Sequence, residues 1–185
     1  MTRKFILAAA IVLVGSFSSL AQRYFTKQGQ LSFVSESQIE KIESTNGQAN
    51  SVIDLETGQV QWAALIKAFK FEKALMEEHF NENYMESEKF PKATFKGNVE
   101  NIKSLRLDDS SPQEFSVSGE LTIHGVTQPL QAVISLQPSK DRIEGKAQFS
   151  ILLSDFDIEI PKVVVENIAK TIDITVEANY EEFTK

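Results

Sequence analysis

Residues 119–129 read GELTIHGVTQP, a stretch typical of a β-strand that ends in a turn. Leu121 and Ile123 alternate with Thr122 and His124, so the apolar side chains point to one face and the more polar ones to the other. A period of two is the signature of a strand with one buried face. The stretch therefore predicts a half-buried strand that ends near residue 124.

The predicted turn after this strand is centred on Gly125. Glycine interrupts a strand pattern, and Pro129 restricts where the next strand can begin. We expect Gly125 to adopt a positive φ, a conformation in which a Cβ atom would be strained.

The same alternation recurs along most of the chain. Its clearest example is Thr171–Tyr180, and the dipeptides Asn46-Gly47 and Thr57-Gly58 are turn signals between predicted strands. About eight strands joined by short polar turns favour a closed barrel or a sandwich. The other predicted strands form an opening hairpin around Leu31, Phe33 and Ile39–Glu43, and then lie at Ala49–Leu55, Val60–Phe69, Phe95–Ile102, Glu114–His124, Pro129–Leu136 and Arg142–Leu153.

Two segments have a helical pattern instead. Glu72–Glu86 predicts an amphipathic helix, and Pro161–Ala169 predicts a second, short helix with proline at its first position. The first helix has Glu77, Glu78 and Glu82 on or near its polar side. Its predicted apolar stripe consists of Leu75, Met76, His79, Phe80, Asn83 and Tyr84.

Three segments of the chain carry a family resemblance. Residues 119–129 closely resemble the G-x-L-T-I-H-G-V-T-x-P signature of the YceI family. Lys89–Phe95 is similar to the family's K-Y/F-P-x-x-T-F segment, and Phe149–Ile158 is similar to its F-x-I-x-x-S-D-F/Y-x-I segment. The resemblance implies a lipocalin-like closed antiparallel barrel of about eight strands with one inserted helix. It also implies an elongated apolar cavity that binds a polyisoprenoid.

The chain departs from the family pattern in two places. Many members have an R-D-x-H-L-like entry to the helix, whereas this chain has Phe71–Phe80. Many members also have glycine at the position of Asp157. Both departures concern the mouth of the expected cavity.

The N-terminus has the pattern of a secretory signal peptide. Arg3 and Lys4 precede the apolar run Phe5–Phe17, and small residues stand at the positions that favour cleavage after Ala21. The run of 13 residues is shorter than the roughly 20 needed to span a bilayer. We therefore expect residues 1–21 to be a signal peptide, residues 22–185 to be one barrel domain, and the mature protein to be periplasmic or secreted.

Composition narrows the range of partners. Residues 1–21 carry Arg3 and Lys4 and no acidic residue, so their removal would change the formal net charge from −7 to −9. Such a charge argues against nucleic acid as a partner. The chain has no cysteine, which excludes disulfides, thiol catalysis and a lipid-modified cysteine.

The residues available for catalysis or metal binding form no recognisable site. His79 and His124 lie in different motifs, and His124 is expected to be a hydrogen-bonded structural residue. His79 with Glu78 and Glu82 lacks the further ligands of a zinc site. The acidic alternation at 155–159 is interpreted as a solvated strand face. We expect no enzymatic activity, no metal and no cofactor.

The apolar interior is the remaining candidate for function. A barrel of eight strands either fills its interior with side chains or holds one small ligand, and alternation alone does not separate the two. The resemblance favours a ligand, with a long-chain isoprenoid lipid such as a quinone or a polyprenyl phosphate as the partner. Transient membrane contact and a homodimer are further expectations. The alternative is a filled barrel that acts as a stress-response or cell-surface interaction module. The residues predicted to line a cavity are Trp62, Ile66, Phe69, Phe80, Tyr84, Phe95, Leu121, Ile123, Phe149 and Ile151.

Overall fold

Eight antiparallel strands pair in chain order and close into a barrel in the computed structural model, which describes residues 22–183. Strand β1 pairs with both β2 and β8, and the second of these pairings closes the barrel. This confirms the predicted fold, whereas the predicted signal peptide lies outside the described residues. The strands are β1 (Arg23–Glu36), β2 (Lys41–Asp54), β3 (Gln59–Leu65), β4 (Lys92–Val99), β5 (Gln113–Ile123), β6 (Val126–Ser139), β7 (Arg142–Leu152) and β8 (Thr171–Glu182).

The connection between β5 and β6 is a two-residue turn. Ile123 pairs directly with Val126, and the two residues between them have positive φ, 52° at His124 and 78° at Gly125. Positive φ at both central positions defines the type I′ turn, whose twist matches that of the flanking strands. The predicted conformation of Gly125 is therefore confirmed.

The prediction of a turn at Asn46-Gly47 is wrong, because both residues lie inside β2. The β1–β2 ladder shifts its register on each side of Gly29, which is opposite this region. The Asn46 amide donates to the Leu65 carbonyl at 2.9 Å, and its side-chain oxygen accepts from the Gln48 N–H at 2.9 Å. The Asn-Gly pair thus forms an irregularity of the β-bulge kind within a continuous strand.

The bounds of β3, β4 and β6 also differ from the prediction, and β6 runs from Val126 to Ser139 with Pro129 inside it. Strand β3 ends at Leu65, four residues before Phe69, and a 3₁₀ turn over Ile66–Ala68 follows it. Strand β4 begins at Lys92 and ends at Val99, earlier than predicted at both ends. The 3₁₀ turn after β3 moves the chain out of the sheet before the inserted helix begins.

The inserted helix lies between β3 and β4. Helix α1 (Ala74–His79) continues as a π-helical turn over Phe80–Tyr84, inside the predicted range. Leu75 does not belong to the buried face, since it is 61% exposed. The second predicted helix is reduced to a 3₁₀ turn over Lys162–Val164. Within residues 22–183, no helix has the length and apolar character needed to cross a membrane.

Candidate functional site

One half of the barrel interior is filled by side chains. Tyr180 is fully buried there, and its hydroxyl lies 2.8 Å from the Ser51 hydroxyl. Burial raises the pKa of Tyr180 to about 12, because the charged phenolate would have to exist without water. The buried side chains of this packed half are Tyr24, Ile53, Leu55, Val60, Val99, Ile102, Phe115, Val117, Ile134, Leu136, Ile143, Ala178 and Tyr180.

The other half of the interior contains a cavity of about 280 Å³. Strand residues of the barrel wall line it, and Met76, Phe80 and Tyr84 of the helical segment line it as well. A smaller cavity of about 80 Å³ lies between this cavity and the packed half, and Leu121 and Phe149 line both cavities. The interior is thus neither wholly filled nor wholly hollow.

The predicted lining residues divide between the two cavities. Trp62 and Phe95 line only the smaller cavity, closer to the packed half. The other eight line the larger cavity: Ile66, Phe69, Phe80, Tyr84, Leu121, Ile123, Phe149 and Ile151.

Trp62 and Phe95 occupy space that three strand glycines leave open. A Cβ atom on Gly29 would contact the Trp62 ring, and a Cβ atom on Gly97 or Gly119 would contact the Phe95 ring. Gly97 and Gly119 are paired across β4 and β5. Glycine inside a strand often marks such a close approach, so these three glycines were the available sequence signal for the position of both rings.

Four phenylalanine rings pack together around the larger cavity. Phe33 of β1 contacts Phe69, Phe71 and Phe80, with ring centroids 5.6 to 5.8 Å apart. Phe71 and Phe80 are 5.0 Å apart. All four rings line the cavity, including Phe33 and Phe71, which were not among the predicted lining residues. Their contacts pack the inserted helical segment against β1.

The mouth of the larger cavity carries a few polar groups that the sequence analysis missed. Ser35, at the end of β1, and Glu40, in the connection after it, line the cavity together with Asn167, which precedes β8. The Asn167 amide donates to the Glu40 carboxylate at 3.3 Å, and the Ala169 N–H donates to the Ser35 hydroxyl at 2.9 Å. No sequence motif joins these residues, because only closure of the barrel brings residues 35–40 next to residues 167–169.

His124 is hydrogen-bonded at both ring nitrogens. Its Nδ1 lies 3.1 Å from the Phe156 carbonyl oxygen, and its Nε2 lies 3.0 Å from a Glu86 carboxylate oxygen. The Phe90 ring packs against the imidazole at a centroid distance of 4.7 Å. His124 thus links the β5–β6 turn to two other loops, in agreement with the structural role expected for it. In the described part of the chain, no group of three His, Asp or Glu side chains could hold a metal ion.

Comparison with known proteins gives one family match. The sequence profile of the YceI-like domain matches residues 17–180, which is most of the chain. No curated protein sequence matches the chain significantly.

Several solved structures share the fold at low sequence identity. A polyisoprenoid binding domain from Saccharophagus degradans, implicated in plant cell wall breakdown, has 16% identity and a TM-score of 0.75, covering 88% of this chain and 99% of that one. BcnA of Burkholderia cenocepacia has 15% identity and a TM-score of 0.68, with coverages of 80% and 94%. The Campylobacter jejuni YCEI protein has 16% identity and a TM-score of 0.64, with coverages of 81% and 90%.

Proposed function

Because the chain belongs to the YceI-like domain family, we propose that its barrel binds a long-chain isoprenoid or a similar apolar lipid, without catalysis. The observation that carries this proposal is the cavity of about 280 Å³ in one half of the barrel, lined almost entirely by aliphatic and aromatic side chains. Cavities of this kind bind small apolar ligands. The similar domain from Saccharophagus degradans, described as polyisoprenoid binding, supports the same ligand class.

The energetics of transfer indicate what such a protein does with the lipid. Moving roughly 40 carbons out of water at about 0.8 kcal/mol each would exceed the ceiling of about 18–21 kcal/mol for non-covalent affinity. The lipid therefore enters from a membrane or another apolar host, and the net transfer is close to neutral. We propose a role as carrier, buffer or shield.

Exposed apolar side chains near the mouth support transient contact with a membrane. Ile39 is 61% exposed, Leu75 is 61% exposed and Val163 is 91% exposed. Each is next in sequence to a cavity-lining residue, respectively Glu40, Met76 and Val164. We call Ile39, Leu75 and Val163 the apolar rim. A rim of this kind lets a lipid tail pass from the bilayer into the cavity without crossing water.

A bulky substitution in the middle of the cavity tests the proposed binding. Ile123 is 8% exposed and lines the larger cavity, so Ile123→Trp should fill the space that a lipid tail would occupy. We expect the wild-type protein to yield a prenyl lipid in the mass spectrum of its organic extract, and the variant to yield none. The melting temperature of the lipid-free variant should fall little, because the added ring enters space that is empty.

The control is Val133→Trp, which adds the same ring to a position that is 53% exposed on β6. This variant should retain the lipid. A lipid-free extract from the wild type, together with strong destabilisation by Ile123→Trp, would contradict the proposal. Overpacking a filled core typically costs about 1–3 kcal/mol, so that result would favour the alternative of an interaction module acting through its outer surface.

Export is a separate part of the proposal. The basic and apolar pattern of residues 1–21 supports cleavage between Ala21 and Gln22 and a periplasmic or secreted location. Intact-mass analysis of the protein from its native host should give a chain that begins at Gln22. Retention of residues 1–21 would contradict this part.

A further inference from the structure

A single carboxylate faces the larger cavity at its mouth. Glu40 ends the short connection between β1 and β2, and Ser37 orders this connection by accepting hydrogen bonds from the N–H groups of Ile39 and Glu40. The Glu40 side chain is 28% exposed and lines the cavity. Among the described residues that line this cavity there is no other acidic residue, and there is no lysine or arginine.

The Glu40 carboxylate has a lysine beside it that does not line the cavity. Lys73 Nζ lies 3.4 Å from a Glu40 carboxylate oxygen, but the lysine side chain is 65% exposed and does not line the cavity. The Asn167 amide donates to the other carboxylate oxygen at 3.3 Å. A head group at the mouth would therefore contact the carboxylate, and the described residues of the lining offer it no lysine or arginine.

A second polar group at the mouth has an unused donor. Ser35 is 2% exposed, and its hydroxyl oxygen accepts the Ala169 N–H. Among the described residues, the hydroxyl hydrogen of Ser35 has no acceptor. A hydroxyl group has one donor hydrogen besides its acceptor lone pairs, so Ser35 can still donate a hydrogen bond to a ligand atom. The mouth thus offers an acceptor at Glu40 and a donor at Ser35.

We infer that the lipid bound in this cavity carries an uncharged head group that both donates and accepts hydrogen bonds, an alcohol being the simplest, and that Glu40 excludes a lipid phosphate. This inference rests on the proposed function and selects among its ligands. A hydroxyl group donates to the Glu40 carboxylate and accepts from Ser35. A phosphate would place a second anion beside a partly buried carboxylate with no cation in the lining.

Two lipids with the same tail and different head groups test the inference. Geranylgeraniol and geranylgeranyl phosphate are each delivered from cyclodextrin, and their affinities are measured by displacement of a fluorescent prenol at pH 8. We expect the alcohol to bind the wild-type protein at least about tenfold more tightly than the phosphate.

Variants of Glu40 make the test specific. Glu40→Gln should reduce the preference for the alcohol, and Glu40→Lys should reverse it, because the lysine would supply the missing cation. The control is Glu43→Gln on β2, which removes an exposed carboxylate that does not line the cavity and should leave the preference unchanged. The melting temperature of each variant verifies that the barrel remains folded.

The outcomes separate this inference from the proposed function. Equal binding of both lipids by the wild type, or an unchanged preference in a folded Glu40→Lys variant, would overturn the role of Glu40 and leave lipid binding intact. Failure of the wild-type protein to bind either lipid would overturn lipid binding and this inference together.

Discussion

At the residue scale, a few side chains hold the loops around the cavity in place. His124 has a positive φ and contacts two acceptors, the Phe156 carbonyl and the Glu86 carboxylate. Gly125 follows it with a φ of 78°, and the Phe90 ring lies against the position where a Cβ would be. The turn therefore depends on the identity of two adjacent residues.

Replacing this glycine tests that dependence. We expect Gly125→Ala to lower the free energy of unfolding by at least about 1 kcal/mol, because a Cβ atom is strained at positive φ and would also press on the Phe90 ring. The control is Gly47→Ala, where a Cβ would meet no atom within 4 Å and φ is not positive. Denaturant titration measures both variants, and equal loss of stability in the two would contradict this account.

Tyr180 gives the packed half of the barrel a dependence on alkaline pH. Its pKa is raised from 10.0 to about 12 in the folded protein by burial, so the folded state holds the proton more tightly than the unfolded state. The stability that this difference provides is complete below pH 10 and is lost as the pH rises through 12. A shift of this size corresponds to roughly 2–3 kcal/mol.

The variant Tyr180→Phe isolates this effect. The wild-type free energy of unfolding should decline between pH 10 and pH 12 more steeply than that of the variant, since phenylalanine has no proton to lose. Tyr24 and Tyr84 also have raised pKa values through burial, and both remain in the variant. Parallel pH profiles for the two proteins would show that Tyr180 ionises without a cost to the fold.

At the scale of elements, the inserted helical segment and the strands form the cavity together. The segment 74–84 contributes Phe80, whose ring packs on Phe33, Phe69 and Phe71. On the strand side, Phe149 of β7 lies between the larger and the smaller cavity and lines both. Under the proposed function, we expect this side chain to limit how deeply a lipid tail enters the barrel.

Shortening this side chain should lengthen the cavity. We expect Phe149→Ala to join the two cavities and to shift binding toward longer tails, measured by mass spectrometry of the lipids captured from a mixture of prenols of different lengths. Some stability should be lost, about 2–4 kcal/mol, because the removed ring also packs against its neighbours. The control is Phe115→Ala in the packed half, which should lose stability without changing the preferred tail length. An unchanged length preference in Phe149→Ala would contradict this role.

At the scale of the whole molecule, the two halves of the barrel have different tasks. The packed half supplies a hydrophobic core without disulfides, since the chain has no cysteine. The other half contains the larger cavity, the proposed binding site for the lipid. Each residue of the apolar rim is adjacent in sequence to a residue that lines this cavity. Under the proposed function, stability and binding are thus assigned to different halves of the barrel.

Removal of an apolar rim side chain should slow lipid transfer and leave the fold unchanged. Val163 is 91% exposed, so Val163→Asp should not alter the melting temperature, yet it should reduce the rate at which a fluorescent prenol leaves phospholipid vesicles for the protein. The control is Val133→Asp on the outer wall of the barrel, where the side chain is 53% exposed. Equal transfer rates for the two variants would contradict membrane contact through the rim.

The sequence by itself predicted the elements whose patterns are local. Most of the sheet follows from alternation with a period of two, although β2 was predicted as two segments. The inserted helix follows from its own periodicity, and the positive φ of Gly125 follows from the turn. Most of the inward-facing residues, such as Ile66 and Ile123, could be predicted in the same way. Each of these properties depends on neighbours along the chain, which a sequence displays directly.

Only the tertiary structure decided which part of the interior is filled and which groups meet at the mouth. Asn46-Gly47 has the composition of a turn, but the register of β1 against β2 makes it a bulge. The position of the cavity depends on where large rings lie, and the Trp62 and Phe95 rings lie where strand glycines leave room for them. Glu40 and Asn167 meet only because β1 pairs with β8 at the closure of the barrel. Contacts between residues more than 100 positions apart are set by the register of the whole sheet, and no local pattern in the sequence encodes them.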